Sequence, residues 1–410
     1  MQSRSKHDPY AALKIKEFRL YVSARFLLTL STQVQEVVVG WQIYQITNDP
    51  FSLGLVGLAE AIPAIGIALL GGHIADTFNR KRIIQWMVGL LFLCSVSLFI
   101  VSKYDLLHGS QVAPLYAIIF ISGIARGMLG PALFSFWPQL IKDKTVFTNA
   151  ITWNTTLWQI AATMGPAFGG LIIAPFGIAN SYIIDLGLMA MSLISFSLIS
   201  SQVMPERKIE DMWENLTSGI KFVFSNQVIL GAMTLDLFAV LFGGAVALLP
   251  VFAKDILHVG AFEFGLLKAA IPVGSIITAM ALAYYPIKKN AGKIMMWAVA
   301  GFGICMIGFG LSTYLWLSVA ILLLSGIFDG ISVVIRGTLI QTLTPDHMKG
   351  RVSAVNNIFI GSSNEIGAFE SGATAKLMGV IPSVVFGGCM SLLVVGVTAL
   401  KARKMRELDL

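Results

Sequence analysis

The sequence predicts an all-α membrane protein, with twelve transmembrane helices arranged as two six-helix bundles. Three observations carry that expectation. Of 410 residues, 56% are hydrophobic and only 12% are charged, whereas a soluble domain carries roughly a quarter charged residues. Apolar runs of about 20 residues, the length that crosses a bilayer, recur along the whole chain. Lys and Arg gather in alternate connections between those runs.

The runs can be taken in order. Leu20–Tyr44 follows a basic start (Arg4, Lys6, Lys14, Lys16, Arg19) and carries Arg25 and Glu36. It is too long and too polar for the apolar core of a cleaved signal, so it is expected to be a retained first span. Ser52–Ile74 leads to the basic connection Arg80, Lys81, Arg82. Ile83–Val101 and Ala113–Leu133 lead to Lys142 and Lys144, and Ile151–Ile173 and Ser181–Ser200 lead to Arg207 and Lys208. Val228–Phe252 and Phe264–Tyr284 precede Lys288, Lys289 and Lys293. Ile294–Leu311 and Tyr314–Ile335, separated by a very short loop, precede Lys349 and Arg351. Val352–Leu377 and Ile381–Leu400 lead to a tail with Lys401, Arg403, Lys404 and Arg406. Barrel strands would be shorter and would alternate in polarity. The opposite connections hold little beyond Lys103 and Lys254, so both termini are expected in the cytoplasm of a multi-pass protein of the cell (inner) membrane.

The longest polar stretch between runs divides the chain. Residues 1–200 form an expected first bundle and residues 228–410 a second. The linker, residues 201–227, holds Arg207, Lys208, Glu210, Asp211 and Glu214, with Trp213, Leu216, Ile220 and Val223 at helical spacing. That pattern predicts an amphipathic helix on the membrane surface. The halves look related. Pro138 to Gly170 can be laid on Ile340 to Gly372, with Gly165 matching Gly367 and Gly170 matching Gly372. Parallel six-span repeats build one large class of transporters.

Several function classes are excluded. The net charge of +7 is spread over short clusters with no continuous basic stripe, so nucleic acid is not an expected partner. Cys94, Cys305 and Cys389 lie far apart in apolar runs, without metal or redox spacing. The 17 Met residues scatter and read as adaptable packing. No metalloprotease, nucleophile-elbow or nucleotide-binding motif is present, so neither an enzyme, a cofactor nor a self-contained primary pump is expected. The expected partners are the lipid bilayer, a small-molecule substrate and protons, and the expected state is a monomer driven by a proton gradient.

Three motifs carry more specific chemistry. The first is Gly72, Asp76, Asn79 and the triplet Arg80, Lys81, Arg82, in the connection after the second run. Gly72 would allow close helix approach, Asp76 could hold a neighbouring helix end by a charged hydrogen bond, and Asn79 tolerates a left-handed turn. This pattern resembles the signature loop of the major facilitator superfamily, which implies a gating role. It departs from the family at Thr77, where a basic residue is common, and at Asn79, where Gly is common. The plainer reading is that any short cytoplasmic loop is basic.

The second motif is Gly165, Pro166, Gly169 and Gly170, which resembles the Gly-Pro…Gly-Gly marker of the drug–proton antiporters of that superfamily. Pro removes a backbone donor, and flanking Gly residues let helices pack closely, so a hinge or a tight seam is expected. Ordinary small-residue packing is the alternative. The third is Arg126, followed by Gly130, in the fourth run, where these antiporters also carry an arginine. A central Arg costs at least about 2.5–3.5 kcal/mol to insert, so it must meet a cavity or a carboxylate. Three further stretches, Trp41 to Thr47, Leu248 to Ala253, and Thr344 to Val352, are similar to the enterobactin-exporter and macrolide-efflux-like branch.

Ionisable residues inside spans are functional candidates by default. Glu36, with Gln33 and Gln35 nearby, and Glu60, just before Pro63, are expected at similar depth, about 12 Å from the outer loop at 1.5 Å per residue. Each carboxylate could carry a proton, or could simply pair with a Ser, Thr or Arg neighbour. Asp236 lies in run seven, Asp329 and Arg336 in run ten, and Glu365, Glu370 and Lys376 in run eleven. The resemblance implies that spans one, four, seven and ten line the cavity, which favours Glu36, Arg126, Asp236, Asp329 and Arg336. Asp329 and Arg336, two turns apart, could form an ion pair. Asp185 and Arg25 read as structural, and Lys254, Asp255 and Glu263 as solvated loop charge. The expected function is alternating-access, proton-coupled export of an amphipathic small molecule such as a drug, macrolide or siderophore. A lipid flippase or a metal-ion carrier of the same fold is the alternative.

Overall fold

The computed structural model describes residues 8–104, 107, 112–141, 143–200, 212–243, 245–285, 287, 289–345 and 348–401. Arg4, Lys6, Lys142, Arg207, Lys208, Glu210, Asp211, Lys288, Asp346, Arg403, Lys404 and Arg406 lie outside the described residues. So do the side chains of Gly72, Asp76, Thr77, Trp213, Glu214 and Leu216.

The described chain is helical. The helices are α1 (Lys16–Thr47), α2 (Pro50–Thr77), α3 (Arg80–Lys103), α4 (Ala113–Phe136), α5 (Phe147–Leu198), α6 (Met212–Ser225) and α7 (Gln227–Phe242). A one-turn α8 (Leu249–Val251) follows, then α9 (Ala261–Tyr284), α10 (Ala291–Leu311), α11 (Leu315–Leu343), α12 (Lys349–Met378) and α13 (Val380–Lys401). Nine helices among the described residues are long and apolar enough to cross a membrane. Among them α5, at 52 residues, is long enough for two crossings. Its single break is Gly177, at φ 74°, a conformation that costs glycine little and other residues much. The remaining long helices, α1 and α12, are more polar because they carry Gln33, Gln35, Glu36, Glu365 and Glu370. This arrangement is consistent with twelve spans.

Local chemistry sets the helix boundaries. Asn48, left-handed at φ 48°, ends α1. Asp49 then caps α2 by accepting from the Phe51 amide at 3.1 Å, with Pro50 in the first turn. Asn79 departs from the expected left-handed turn. It is extended, and its side chain caps α3 by accepting from the Arg82 amide at 3.2 Å. The expected run Val228–Phe252 is not one helix. α7 stops at Gly243, and a 3-10 turn, α8 and a π turn (Phe252–Ile256) complete the crossing. Pro250 cannot continue an α-helical ladder. The linker contains a helix, α6, where an amphipathic helix is expected. Val223 is buried against Ile229, Met233, Ile340 and Val352, and Gly219 meets the Arg351 backbone, so this face packs on protein.

The two halves repeat one packing scheme. In the first, Gly123 and Gly127 of α4 let its backbone touch α2, a Cβ on Gly123 falling 2.5 Å from the Glu60 carbonyl oxygen. In the second, Gly326 and Gly330 of α11 meet Ile271 and Ser275 of α9 in the same way. Small residues four apart allow such approach.

The halves meet along two seams. Gly170 of α5 lies against Gly265 of α9, and Gly372 of α12 against Gly54 of α2. Gly170 and Gly372 are the pair that the internal repeat matched, and they occupy equivalent places. Both seams lie toward the end of the bundle that holds the Asn48–Asp49 turn. At that end Tyr44 donates to Asp255, Lys254 to Asn48 at 2.6 Å, and Lys376 to Asp49 at 3.0 Å. Lys254 and Asp255 are therefore cross-half contacts and not free loop charge. Trp41 stacks on Phe264 beneath them, ring centroids 5.3 Å apart. This end of the molecule is closed.

Candidate functional site

The site is built around the close approach of α4 to α2. Because Gly123 and Gly127 carry no side chain, Arg126 is brought within reach of α2, where its Nη1 donates to Glu60 Oε1 at 2.5 Å. Its Nη2 donates to Gln35 Oε1 at 3.4 Å. The Gln35 amide in turn donates to Ser95 at 3.0 Å and to Asp185 at 3.5 Å, and Ser31 donates to Asp185. Asp185 thus anchors a polar network on α1, α3 and α5 that reaches Arg126 through Gln35. Arg25 donates to Asn154 at 2.8 Å. The Arg126 Nε is buried without a hydrogen-bond partner among the described residues.

Glu36 faces the other half. Lys268 of α9 donates to its Oε1 at 2.8 Å, and Gln33 donates to its Oε2 at 3.3 Å. Each expected proton carrier therefore has a basic partner. Glu36 and Glu60 line the same narrow space between α1, α2, α3 and α4. Gln35 and Arg126 complete its polar side, and Val39, Val56, Leu98 and Ile118 form an apolar side. A cavity with both characters suits an amphipathic ligand.

Two residues outside the expected set belong to this cluster. Lys268 is the only charge in the run from Phe264 to Tyr284. A lone lysine inside a span is a signal in itself, yet this one lies near the span's outer end, where lysines often snorkel to water. Glu365 lies in run eleven, which the resemblance does not place on the cavity. A Cβ built on Gly57 would fall 3.2 Å from Glu365 Oε2, so this carboxylate abuts α2 one turn from Glu60.

The second half gathers Asp236, Asp329 and Arg336 elsewhere. Asp236 and Asp329 line a smaller space of about 220 Å³ with Phe302, Phe328 and Ser332. Arg336 donates to Asp236 and not to Asp329, and Ser332 donates to Asp236 at 3.4 Å. The expected Asp329–Arg336 pair does not form. Seven residues separate them by about 10.5 Å along the helix, too far for an ion pair, while α7 presents Asp236 directly. Both partners of the Asp236–Arg336 pair are buried, each side chain 7% exposed.

In the basic connection, Arg80 donates to the Ser135 carbonyl at 3.2 Å and Lys81 to the Ser197 carbonyl at 3.0 Å. These tie the start of α3 to the ends of α4 and α5, at the end of the bundle opposite the closed one. In the Gly165–Gly170 segment the backbone stays helical through Pro166, and the break comes later, at Gly177. Gly165 and Gly169 face Gln33 and Val37 of α1, and Gly170 faces α9. The motif is a seam between three helices.

A family model described as "transmembrane secretion effector" matches residues 7–410. The chain belongs to that family, within the major facilitator superfamily. This transporter is similar to the enterobactin exporter EntS of Citrobacter koseri, 26% identical over 381 residues, which cover 92% of this chain and 90% of the relative. It is equally similar to the EntS of Escherichia coli O1:K1 / APEC, 26% identical over 385 residues, 93% and 91% of the two chains. Among solved structures, the POT family transporter PepTSo superposes with a TM-score of 0.73 at 14% identity, over 96% of this chain and 99% of that one. A bacterial homologue of the lysosomal transporter Spinster, solved inward-facing and unoccupied, also gives 0.73, at 13% identity over 96% and 98%. The transporter is a multi-pass membrane protein and not an enzyme.

Proposed function

We propose that this transporter exports an amphipathic small molecule by alternating access, in exchange for protons. The observation that carries this reading is the polar cluster of Glu36, Glu60 and Arg126, which lines a space between α1, α2, α3 and α4 with aliphatic residues opposite and is bridged to the second half by Lys268. The polar side would orient a polar head, and the apolar side would accept its greasy remainder. The relatives' names favour a siderophore-like substrate over a drug or macrolide, since both are enterobactin exporters.

The positive-inside rule puts the Arg80–Arg82 connection and both termini in the cytoplasm of the cell (inner) membrane. The closed end is then external, and the cavity awaits substrate from inside. Rocking of the halves about the cavity would part the α2–α12 and α5–α9 seams and expose it outside. Arg80 and Lys81, held on neighbouring helix ends, would take part in closing the cytoplasmic side together with Gly72, Asp76 and Arg82. Asp236 and Asp329 would extend the polar surface on the second half, with Arg336 holding Asp236 in place. A monomer is sufficient for this cycle.

Vesicles with inside-out protein test the reading. Candidate siderophores, macrolides and cationic drugs are added outside, and the lumen is made acidic. Accumulation that collapses with a protonophore, and that is lost on Glu36→Gln with Glu60→Gln, supports it. Undiminished, gradient-independent accumulation in that double variant contradicts it.

A further inference from the structure

We propose that Glu365 is the proton switch of the α2–α12 seam: the seam closes around the protonated carboxyl and opens when that carboxyl ionises. This rests on the proton-coupled reading above and names the group that links the proton to the conformational step.

Five ionisable groups from five helices converge at the centre of the molecule. Glu60 on α2, Glu36 on α1, Arg126 on α4 and Lys268 on α9 are near enough for their charges to act on Glu365. Two of the three carboxylates have partners, Glu60 with Arg126 at 2.5 Å and Glu36 with Lys268 at 2.8 Å. Among the described residues no ion pair or hydrogen bond is made by the Glu365 carboxylate. With all five groups ionised the cluster carries one net negative charge, and with Glu365 protonated it is neutral. Glu365 is half-buried, and a charge partly withdrawn from water and without a partner is disfavoured; like charges at close range also resist joint ionisation.

The other elements packed on α12 do not supply the missing cation. On α7, Asp236 is engaged by Arg336 of α11, and Asp329 of α11 is itself acidic. On α13, Cys389 is exposed and Lys401 is the last residue. Lys221 of α6 lies near Gly219, which packs at Arg351, fourteen residues before Glu365 along α12. On α12 itself, Glu370 is one turn away and acidic, and Lys376 reaches outward to Asp49.

Geometry makes this charge a matter of conformation. Gly57 is the point where α2 touches Glu365. A Cβ there would lie 3.0 Å from the Ala368 Cβ, 3.1 Å from the Glu365 carbonyl oxygen and 3.2 Å from its carboxylate. One turn further out, Gly54 meets the Phe369 and Gly372 backbone. Glu365 therefore sits at the inner end of the seam that seals the external side. Closing the seam presses its carboxyl against α2 beside Glu60 and leaves it half-buried, and parting the seam would expose it further. An ionised Glu365 thus favours the parted seam and a protonated one the sealed seam. A proton taken from the external side would permit closure, and release to the cytoplasmic cavity would restore the charge before the next opening. That order is the one exchange requires.

The test measures the seam directly. In a cysteine-free background, spin labels are placed at Lys103→Cys, on the external end of α3, and at Leu377→Cys, on that of α12. Distances are recorded in liposomes from acid to alkaline pH. The expected result is a short distance at acid pH that lengthens as pH rises, a short distance at every pH in Glu365→Gln, and a retained pH response in Glu365→Asp. A Glu365→Gln distribution that still lengthens with pH overturns the proposal. So does a wild-type distribution that does not move although transport is proton-driven. Proton-independent transport by the wild type would instead remove the reading on which this rests. Should Glu365→Gln fold poorly, Glu365→Ala carries the same expectation of a pH-independent distance.

Discussion

Lys268 of the second half donates to Glu36 of the first at 2.8 Å, an ion pair that crosses between the halves beside Glu60 and Arg126. Tyr44–Asp255, Asn48–Lys254 and Asp49–Lys376 also cross between the halves, but at the closed end. The Lys268–Glu36 pair thus reports on the cavity itself.

Lys268→Met removes the bridge and leaves Glu36 with Gln33 alone. Glu36 is 40% exposed at its side chain, so the loss should cost about 1–2 kcal/mol, well below the ~3–5 kcal/mol of a fully buried pair. Transport should fall at least about tenfold, the factor that a 1.4 kcal/mol change represents. A double-mutant cycle with Glu36→Gln should recover most of the stability, measured by thermal melting in detergent, and little of the transport.

Arg126→Lys should not rescue function. The guanidinium reaches Glu60 and Gln35 with two different nitrogens, and an ammonium cannot reproduce that fork. Transport in Arg126→Lys should resemble Arg126→Ala within a few-fold, while Glu60→Asp should keep a measurable rate. Initial rates in proteoliposomes decide this.

Arg336 holds Asp236 through a buried ion pair, and variants can separate that anchoring from a part for Asp236 in transport. Arg336→Met strands a buried carboxylate and should destabilise by about 3–5 kcal/mol. Asp236→Leu combined with Arg336→Met should regain most of that loss, because apolar replacement of both partners is often neutral. Recovery of transport in the double variant would mark the pair as structural. Recovery of melting temperature without transport would give Asp236 a place in the substrate path.

Gly170→Ala sets a methyl 2.5 Å from the Gly265 Cα and 2.6 Å from the Ala261 carbonyl oxygen. Backbone cannot yield as a flexible side chain does, so overpacking of about 1–3 kcal/mol should fall on the closed state alone. The Lys103–Leu377 label distance should lengthen at all pH values. Gly187→Ala, with open space around it, should leave the distance unchanged.

Much of this architecture is legible in the residues. Long apolar runs and alternate basic connections predict the helices, and the match of Gly170 with Gly372 anticipates two equivalent seams. Glu36, Glu60 and Arg126 are legible as a site because charge inside a span demands a partner. The partners themselves are not. Arg336 has Asp329 at helical spacing, and only the packing of α7 against α11 shows that it turns to Asp236. Lys268 lies near the end of its span, and nothing in its neighbours along the chain reveals Glu36, 232 residues away. At the break in span seven Gly243 meets the Phe302 ring, a contact between distant segments.

The most direct measurement of the central claim is lumenal pH in inside-out vesicles that start with an acid lumen. Addition of a transported substrate should raise the lumenal pH in the wild type and should not do so in Glu36→Gln with Glu60→Gln. Substrate accumulation without any change in lumenal pH, or an equal change in that double variant, would contradict proton-coupled export through this site.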